Sequence, residues 1–522
     1  MNSCRRKLPL GIATFSEIIN EGHYYVDKTG FARQLIEEGK YYFLSRPRRF
    51  GKSLFLDTLR CLFEGRQELF KGLQIENDWD WSRCFPVVSI SFADGPLANA
   101  AALDEKIREI LIDNQQRLGI VCSHNSVSGQ LAQLLHLAQQ KYGERVVVLI
   151  DEYDKPILDH IADPATATAM REGLRNLYST IKKADADIRF VFMAGVSKFS
   201  KVNLFSGLNN LRDITLSPDY SALCGYTAVD LDNVFAQELA GLDREQIRHW
   251  YNGYNWLGTA VYNPYDLLLL LRERAFRPWW FETGTPTFLI KLMADTGFFT
   301  PKLAHLRTGL DLISTFDVDG MTPEALLFQS GYLTIQQSEQ LPSGNWRYTL
   351  GYPNHEVQIS LNASLLSVYA WSASNSEAQR IKLEDLLLAN DVAGLRELFQ
   401  AFFAGTPDRS IPHQWFTNNS IADYEGYYAS VFYSYFAALG YDCRVEDATQ
   451  LGRIDLTVKL PQRIYLFEFK VVESQPNGAA LAQLQTKAYA DKYRALGLPI
   501  ELIGVEFSRK TRTVVGFEHA AA

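Results

Sequence analysis

Cysteine is scarce and unpatterned in this chain: six residues in 522, Cys4, Cys61, Cys84, Cys122, Cys224 and Cys443, with no paired spacing of the kind that holds a metal or a disulfide framework. Such thiols read as buried or free side chains in a reducing cytoplasm. Long apolar runs are absent too. The longest clusters, such as Leu267 to Leu271, fall far short of the roughly 20 residues that span a bilayer. The stretch Met1 to Pro9 carries no apolar core, so neither a secretory leader nor a membrane partner is expected. A surplus of positive charge is missing: 52 Lys and Arg against 60 Asp and Glu leave a formal net charge of −8. The chain as a whole is therefore no electrostatic sink for nucleic acid, although a summed charge leaves a local basic patch open. No internal repeat or low-complexity tract interrupts it. What remains is an ordinary globular composition, 47% hydrophobic and 21% charged. The chain is too long for one core, so about two to four domains are expected.

Residues 1–220 alternate strand-like apolar runs with helical patterns, the signature of a three-layer α/β domain. The predicted strands are Tyr41–Ser45, Pro86–Phe92, Val146–Asp151, Ile188–Val196 and Asp213–Leu216. Residues 221–404 read as a mainly helical lid or linker region, with apolar residues at helical spacing in Ala228–Glu238, Tyr265–Arg274 and Leu383–Phe403. One β-like interruption falls at Gly331–Ile335 and Trp346–Leu350. A break rich in Gly, Pro, Ser and Asn runs from Gly405 to Ser420, and the pattern then restarts. Tyr424–Leu439 reads as a helix. Leu451–Leu460 and Arg463–Lys470 read as two strands around a tight Leu460-Pro461-Gln462 turn, followed by a helix over Ala479–Leu496 and a strand over Ile500–Phe507. Residues 417–522 thus form a candidate α/β domain of about 100 residues, long enough to fold alone.

The segment Tyr41 to Ser53 reads as a strand, a loop and a helix start, and Gly51-Lys52-Ser53 is the second half of a Walker A loop. Phosphate binding needs Gly where the backbone wraps the anion and amides at a helix N-terminus aimed at it. Lys52 would pair with the β- and γ-phosphates and the Ser53 hydroxyl would ligate Mg²⁺. Arg46 stands where the first Gly is usual, and a Gly-Lys-Ser turn on a helix cap also arises by chance. The context speaks for the site. Val146 to Ile150 is a fully apolar run, as a buried parallel strand should be, and it ends in Asp151-Glu152. In a Walker B arrangement Asp151 holds Mg²⁺, directly or through water, and Glu152 polarises the attacking water. A third apolar strand, Ile188–Val196, ends in Ser197, a candidate γ-phosphate sensor or equally a turn cap. Arg48 and Arg49 flank the loop as phosphate contacts or as solvated charge.

In the C-terminal segment, Asp455 precedes Glu468 by thirteen residues, and Glu468-Phe469-Lys470 follows on the next strand. Period-two alternation places Glu468 and Lys470 on one face of that strand, with Phe467 and Phe469 on the other. Asp455 reaches the same face from the neighbouring strand. Two carboxylates there make a hard-oxygen Mg²⁺ site, Mn²⁺ being an alternative, and Lys470 would orient a water and stabilise developing charge. Glu425, on the preceding helix, is a candidate third acid. Gln483 and Tyr489, six residues apart on the following helix, face the same cleft. A Glu–Lys pair on a strand is commonly a surface ion pair. Here it sits in the apolar run Ile464 to Phe469, where charge is unlikely without a task.

On these residues the chain resembles the AAA-ATPase-like family of bacterial proteins. The resemblance rests on Tyr25-Val26-Asp27-Lys28-Thr29, on Ser45 to Ser53, on Asp151-Glu152-Tyr153-Asp154-Lys155-Pro156 and on Gly195 to Ser200. It continues through Phe205 to Asn210, Trp250 to Tyr254, Tyr262 to Tyr265 and Gly351 to Asn354. The C-terminal segment resembles the PD-(D/E)xK domain usually fused to that ATPase. Together the two spans run from about Leu8 to Glu518. The resemblance implies a P-loop NTPase domain of the AAA-like type, a helical middle and a restriction-endonuclease-like α/β domain. It implies ATP as the nucleotide, and it makes Arg46 part of the family's own loop. Asn252 stands where the family more usually has Asp, and no role is assigned to it. AAA-like ATPases often complete a site with a neighbour's arginine, which makes a homo-oligomer possible, with Arg212 as one candidate and Arg189 or a surface arginine as alternatives. The leading expectation is an ATP-regulated, Mg²⁺-dependent nuclease acting on DNA, with defence against phage or mobile DNA as a guess from the domain pairing. The alternatives are a nucleotide switch whose nuclease-like domain binds nucleic acid or a protein without cutting, and a regulator in which that domain only packs.

Overall fold

The computed structural model describes residues 5–198, 208, 210–282, 289–290, 292–293, 298, 300–310, 322–369, 373–404, 421–511 and 513–522. The chain divides into two units. One comprises Met1–Trp280 with Arg307–Asn354, and the other Phe281–Leu306 with His355–Ala522. The stretch 221–404, read from sequence as one helical region, is shared between them.

The first unit is built on strands whose both faces are apolar. β1 (Tyr41–Ser45), β2 (Val87–Ser91), β3 (Val146–Asp151), β4 (Ile188–Gly195) and the short β5 (Arg212–Asp213) pair in the order β2-β3-β4-β1-β5. Every pair is parallel. Parallel pairing requires crossover helices, and the chain supplies them as α1 (Lys52–Phe63), α2 (Ala100–Leu118), α3 (Val127–Tyr142) and α4 (Pro164–Lys183). The last three are started by side-chain caps from Asn99, Ser126 and Asp163. Val148, Ile150 and Met193 of the sheet pack with Leu103, Leu134, Leu174 and Leu177 of these helices in one buried cluster. Each such side chain contributes about 1.5–3 kcal/mol of burial. The order brings the carboxyl ends of β1, β4 and β3 side by side, and ligands of open α/β sheets bind outside such ends.

Beyond β5, helices α5 (Ala228–Val234), α6 (Arg244–Tyr251) and α7 (Pro264–Glu273) gather Tyr24 and Val26 into a second cluster with Leu231, Tyr251 and Leu267. α8 (Pro323–Ser330) precedes the hairpin β6 (Thr334–Gln340) and β7 (Trp346–Gly351).

In the second unit the predicted helix over Leu383–Phe403 is two, α10 (Ala373–Ala389) and α11 (Val392–Ala404), which follow α9 (His355–Tyr369). Asn390 turns the chain between α10 and α11 in the left-handed region, φ 53°. Next come α12 (Ile421–Ala438), β8 (Asp442–Thr449), β9 (Gly452–Leu460), β10 (Arg463–Val472), α13 (Ala479–Thr486), α14 (Asp491–Arg494), β11 (Ile500–Ser508) and β12 (Val514–Ala521). The helix predicted over Ala479–Leu496 breaks at Ala488, φ 45°. The sheet order is β12-β11-β10-β9-β8, with only β10 and β11 parallel. α12 covers one face through Phe432 and Phe436, whose rings lie 5.0 Å from Phe469 and 5.2 Å from Phe467. α13 and α14 cover the other, with Leu484 and Tyr493 against Ile454, Leu466 and Leu502. The break from Gly405 to Ser420 lies outside the described residues.

Candidate functional site

At the end of β1 the loop residues Arg49 and Gly51 take left-handed backbone angles, φ 68° and 88°, and Gly51 is the N-cap of α1. Alternating handedness of this kind turns successive amides inward into an anion-binding concavity at a helix N-terminus. Lys52 is 7% exposed, and its Nζ donates to the carbonyls of Arg46 and Pro47, both at 2.9 Å. Burial lowers its pKa, and the Asp151 charge is the largest influence holding it up. The Ser53 hydroxyl takes no hydrogen bond from a described residue and is half-buried beside it. Arg48 and Arg49 are exposed and pair with no carboxylate among the described residues. The Arg49 guanidinium lies 5.0 Å from the Tyr265 ring centroid.

Across β4, the end of β3 presents Asp151 and Glu152. Glu152 is left-handed, φ 49°, a conformation that costs a non-glycine residue about 1–2 kcal/mol. The next residue clamps it. The Tyr153 hydroxyl donates to the Ser197 carbonyl at 2.9 Å, and the Tyr178 hydroxyl donates to the Tyr153 carbonyl at 3.1 Å. Burial and the neighbouring Asp151 raise the Glu152 pKa, opposed by Lys52 and Arg48. A carboxyl poised upward in this way suits a base for water.

Sequence reasoning missed Asp154. It is 1% exposed and accepts from the amides of Val196, at 3.1 Å, and Ser197, at 2.6 Å, and from the Ser197 hydroxyl. It therefore bolts the β3 end to the β4 end. A Cβ at Gly195 would collide with the Tyr153 ring, 2.5 Å away, so that position must be glycine. Ser197, offered as a phosphate sensor or a turn cap, donates its hydroxyl to Asp154. Lys198 pairs with Asp213, and its amide donates to Gln329 at 2.8 Å. Residues 199, 200, 205–207 and 209 of the blocks that carry the resemblance lie outside the described residues. Of the arginine candidates, Arg212 is paired with Glu38 at 2.8 Å, and the pKa of Arg189 is lowered by burial.

In the C-terminal sheet, Asp455, Glu468 and Lys470 meet as their register implies. Glu468 is 1% exposed. Its Oε1 accepts from Lys470 Nζ at 3.2 Å and from the Gln483 amide, while its Oε2 is buried with no hydrogen-bond partner. The Asp455 carboxylate accepts from the Phe469 amide at 2.7 Å. Burial first, and the Asp455 charge second, push Glu468 up to about 7, with Lys470 opposing. An orphaned buried oxygen beside a second carboxylate is the donor chemistry of a hard divalent cation, so the residues fit such an ion. Among the described residues no group of three His, Cys, Asp or Glu side chains is placed to hold a metal. Glu425 falls on α12, and its side chain lies outside the described residues.

Two supports of this face were not legible beforehand. The Glu506 carboxylate, on β11 opposite Lys470, accepts from the amides of Asn477 at 2.7 Å and Ala480 at 3.3 Å, which anchors the start of α13. Gly504, opposite Glu468, lets α13 approach, because a Cβ there would lie 2.9 Å from the Leu481 Cα. That approach carries Gln483 to Glu468. Tyr489 is 2% exposed and sits over the backbone of Gly452.

Known proteins match both halves. A family described as predicted AAA-ATPase matches residues 9–205, and the PD-(D/E)XK nuclease superfamily matches residues 423–517. A protein of Azotobacter chroococcum mcd 1, described as an uncharacterized protein in the vnfD 5′ region, is 59% identical over 515 residues, 98% of either chain. No helix among the described residues is long and apolar enough to cross a membrane. With the phosphate loop, the acid strand end and the Asp-Glu-Lys face in place, the chain belongs to the AAA-ATPase-like family, as a member that carries a C-terminal PD-(D/E)xK nuclease superfamily domain.

Proposed function

We propose that this protein binds and hydrolyses ATP at the loop of residues 46–53, and that the nucleotide state controls a Mg²⁺-dependent nuclease at Asp455, Glu468 and Lys470. The observation that carries the nuclease reading is the buried, partnerless Oε2 of Glu468 beside Asp455. Asp455 and Glu468 would hold the metal, which when bound polarises a phosphate oxygen and lowers the pKa of water. Lys470, 29% exposed and tethered to Glu468, is placed to orient that water and to balance charge on the phosphate. DNA is the proposed polymer, and defence against phage or mobile DNA is the proposed setting. In the first unit, Lys52, Arg48 and Arg49 would bind phosphates, Ser53 and Asp151 the Mg²⁺ of MgATP, and Glu152 would accept a proton from water. Ser197 would act through Asp154 by fixing the β4 end.

A second reading has its own support. The net charge of −8 and the two-carboxylate set favour a nucleotide switch whose nuclease-like domain binds nucleic acid or a protein without cutting. Incubating the full chain and Lys52→Ala with plasmid, linear and single-stranded DNA and with RNA, with and without ATP and Mg²⁺ or Mn²⁺, separates the two. Metal-dependent cleavage of DNA that responds to ATP in the wild type and not in Lys52→Ala is the expected result. Retention of nucleic acid on a filter without any cleavage supports the switch.

A further inference from the structure

Arg46 occupies the position where a phosphate loop ordinarily has its first glycine, and its side chain does not enter the loop mouth. It is 0% exposed. Its Nη1 donates to the carbonyls of Ser45 at 2.8 Å and Thr215 at 2.9 Å, and its Nη2 to the carbonyl of Tyr220 at 3.2 Å. The guanidinium carbon lies over the Trp256 ring, 4.0 Å from its centroid. Nε is buried without a partner, and no carboxylate of the described residues pairs with the group. Burial pulls its pKa down to about 10, with Cys224 and Asp213 opposing, so it stays charged at neutral pH. A buried cation without a paired anion is costly, and a protein that wanted stability alone would place an apolar side chain here.

The main chain of Arg46 explains what the side chain is holding. The Arg46 amide donates to the Gly195 carbonyl at 3.1 Å, and its carbonyl accepts from Lys52 Nζ. The next residues are gripped by the same wall. The Gly225 amide donates to the Phe50 carbonyl at 3.1 Å, and the Phe50 ring meets Tyr254 and Trp256 edge-on at 4.7 and 5.6 Å. The Trp280 indole donates to the Arg48 carbonyl at 3.1 Å. Arg46 is thus the innermost of several ties between the loop and residues 215–280.

We infer that Arg46 is a positioning residue for the nucleotide phosphates: its fork, laid on Trp256 and bonded to the carbonyls of Thr215 and Tyr220, sets the loop carbonyls that aim Lys52. The inference rests on the reading of the loop as a nucleotide site. Lysine in its place would keep the charge and lose the planar fork, because one ammonium nitrogen cannot stand where two guanidinium nitrogens reach the carbonyls of Ser45, Thr215 and Tyr220.

ATP binding by the full chain, followed by titration calorimetry below the melting temperature of each variant, tests it. Arg46→Lys is expected to raise Kd about tenfold or more with the number of sites kept, since aim is lost while the fold is not. Trp256→Leu removes the ring beside the fork, together with its edge contact to Phe50, and is expected to raise Kd about threefold. A structural role alone would instead lower the number of competent sites at an unchanged Kd. Wild-type Kd in either variant that folds overturns the inference, and so does failure of both to fold, which would assign Arg46 to stability. A wild-type chain that binds no ATP removes the nucleotide reading itself, and the inference with it.

Discussion

The strand ends of the N-terminal sheet and the acid face of the C-terminal sheet both bury charge, and they satisfy it differently. Asp154 is met by two amides and a hydroxyl, and Lys52 by two carbonyls. Glu468 is as buried as Asp154, yet one of its oxygens is met by nothing. Leaving a buried acceptor unmet costs about 1–3 kcal/mol, more for a charged group. Lys52 and Asp154 are therefore satisfied within the fold, although Arg46 Nε of the same loop is not, and a ligand must compete with carbonyls for Lys52. The nuclease face keeps an unmet demand that a cation would fill, so its ligand should stabilise the fold as well as enable chemistry.

The largest expected effect breaks that contrast at Glu468. Glu468→Gln should lower the rate of metal-dependent DNA cleavage about a thousandfold, because it removes a charged metal ligand, while ATP affinity stays unchanged. Plasmid nicking and calorimetry measure the two. The same variant should melt higher than wild type at pH 8, and equal cleavage would move the metal elsewhere. Next comes Glu152→Gln, which should keep ATP binding and slow turnover about a hundredfold, the usual size of a lost general base. Equal phosphate release would place the base on another residue.

A smaller effect sharpens the comparison through pH. Glu468 has its folded pKa raised from 4.5 to about 7. The folded state therefore binds more protons than the unfolded one between those values. The stability this contributes is fully present below about pH 4.5 and is lost as pH rises through 7. Metal binding runs the opposite way, since the ligand must be ionised. Mn²⁺ affinity of the C-terminal site should rise about fivefold from pH 6 to pH 7, about twofold more to pH 8, and then flatten. An affinity independent of pH would mean that Glu468 is already ionised in the fold. The smallest expected effect is Gly504→Ala. Its Cβ must push α13 outward, destabilising by about 1–3 kcal/mol and slowing cleavage a few-fold as Gln483 leaves Glu468. Melting and nicking assays check both, and a variant equal to wild type in each would show that α13 has room to shift.

The parts of the two sites that sequence reasoning reached are those carried by short-range pattern. Gly51-Lys52-Ser53 lies one short loop beyond an apolar strand, Asp151-Glu152 ends another, and Glu468 and Lys470 share a face because strands alternate with period two. β12 went unread because its exposure is mixed, with neither a continuous apolar run nor a clean alternation, and β8 because its alternation over Asp442 to Glu446 is short and mostly polar, as suits an exposed sheet edge. The helix breaks at Asn390 and Ala488 escaped for a related reason: neither is glycine or proline, and helical spacing continues across them.

By itself the sequence determined which residues carry charge at the ends of apolar strands, and so which chemistry each unit can attempt, because that depends only on neighbours a few positions away. Tertiary structure alone decided what each charge touches. Asp154 meets Ser197 from 43 positions away, Arg46 meets Tyr220 from 174, and Gln483 meets Glu468 from 15 across a helix-to-sheet approach that Gly504 permits. The strand order β2-β3-β4-β1-β5, which puts β4 between the phosphate loop and the acid pair, is likewise a matter of which strands pair. Pairing and packing reward long-range complementarity of shape and polarity, and no local pattern records that complementarity.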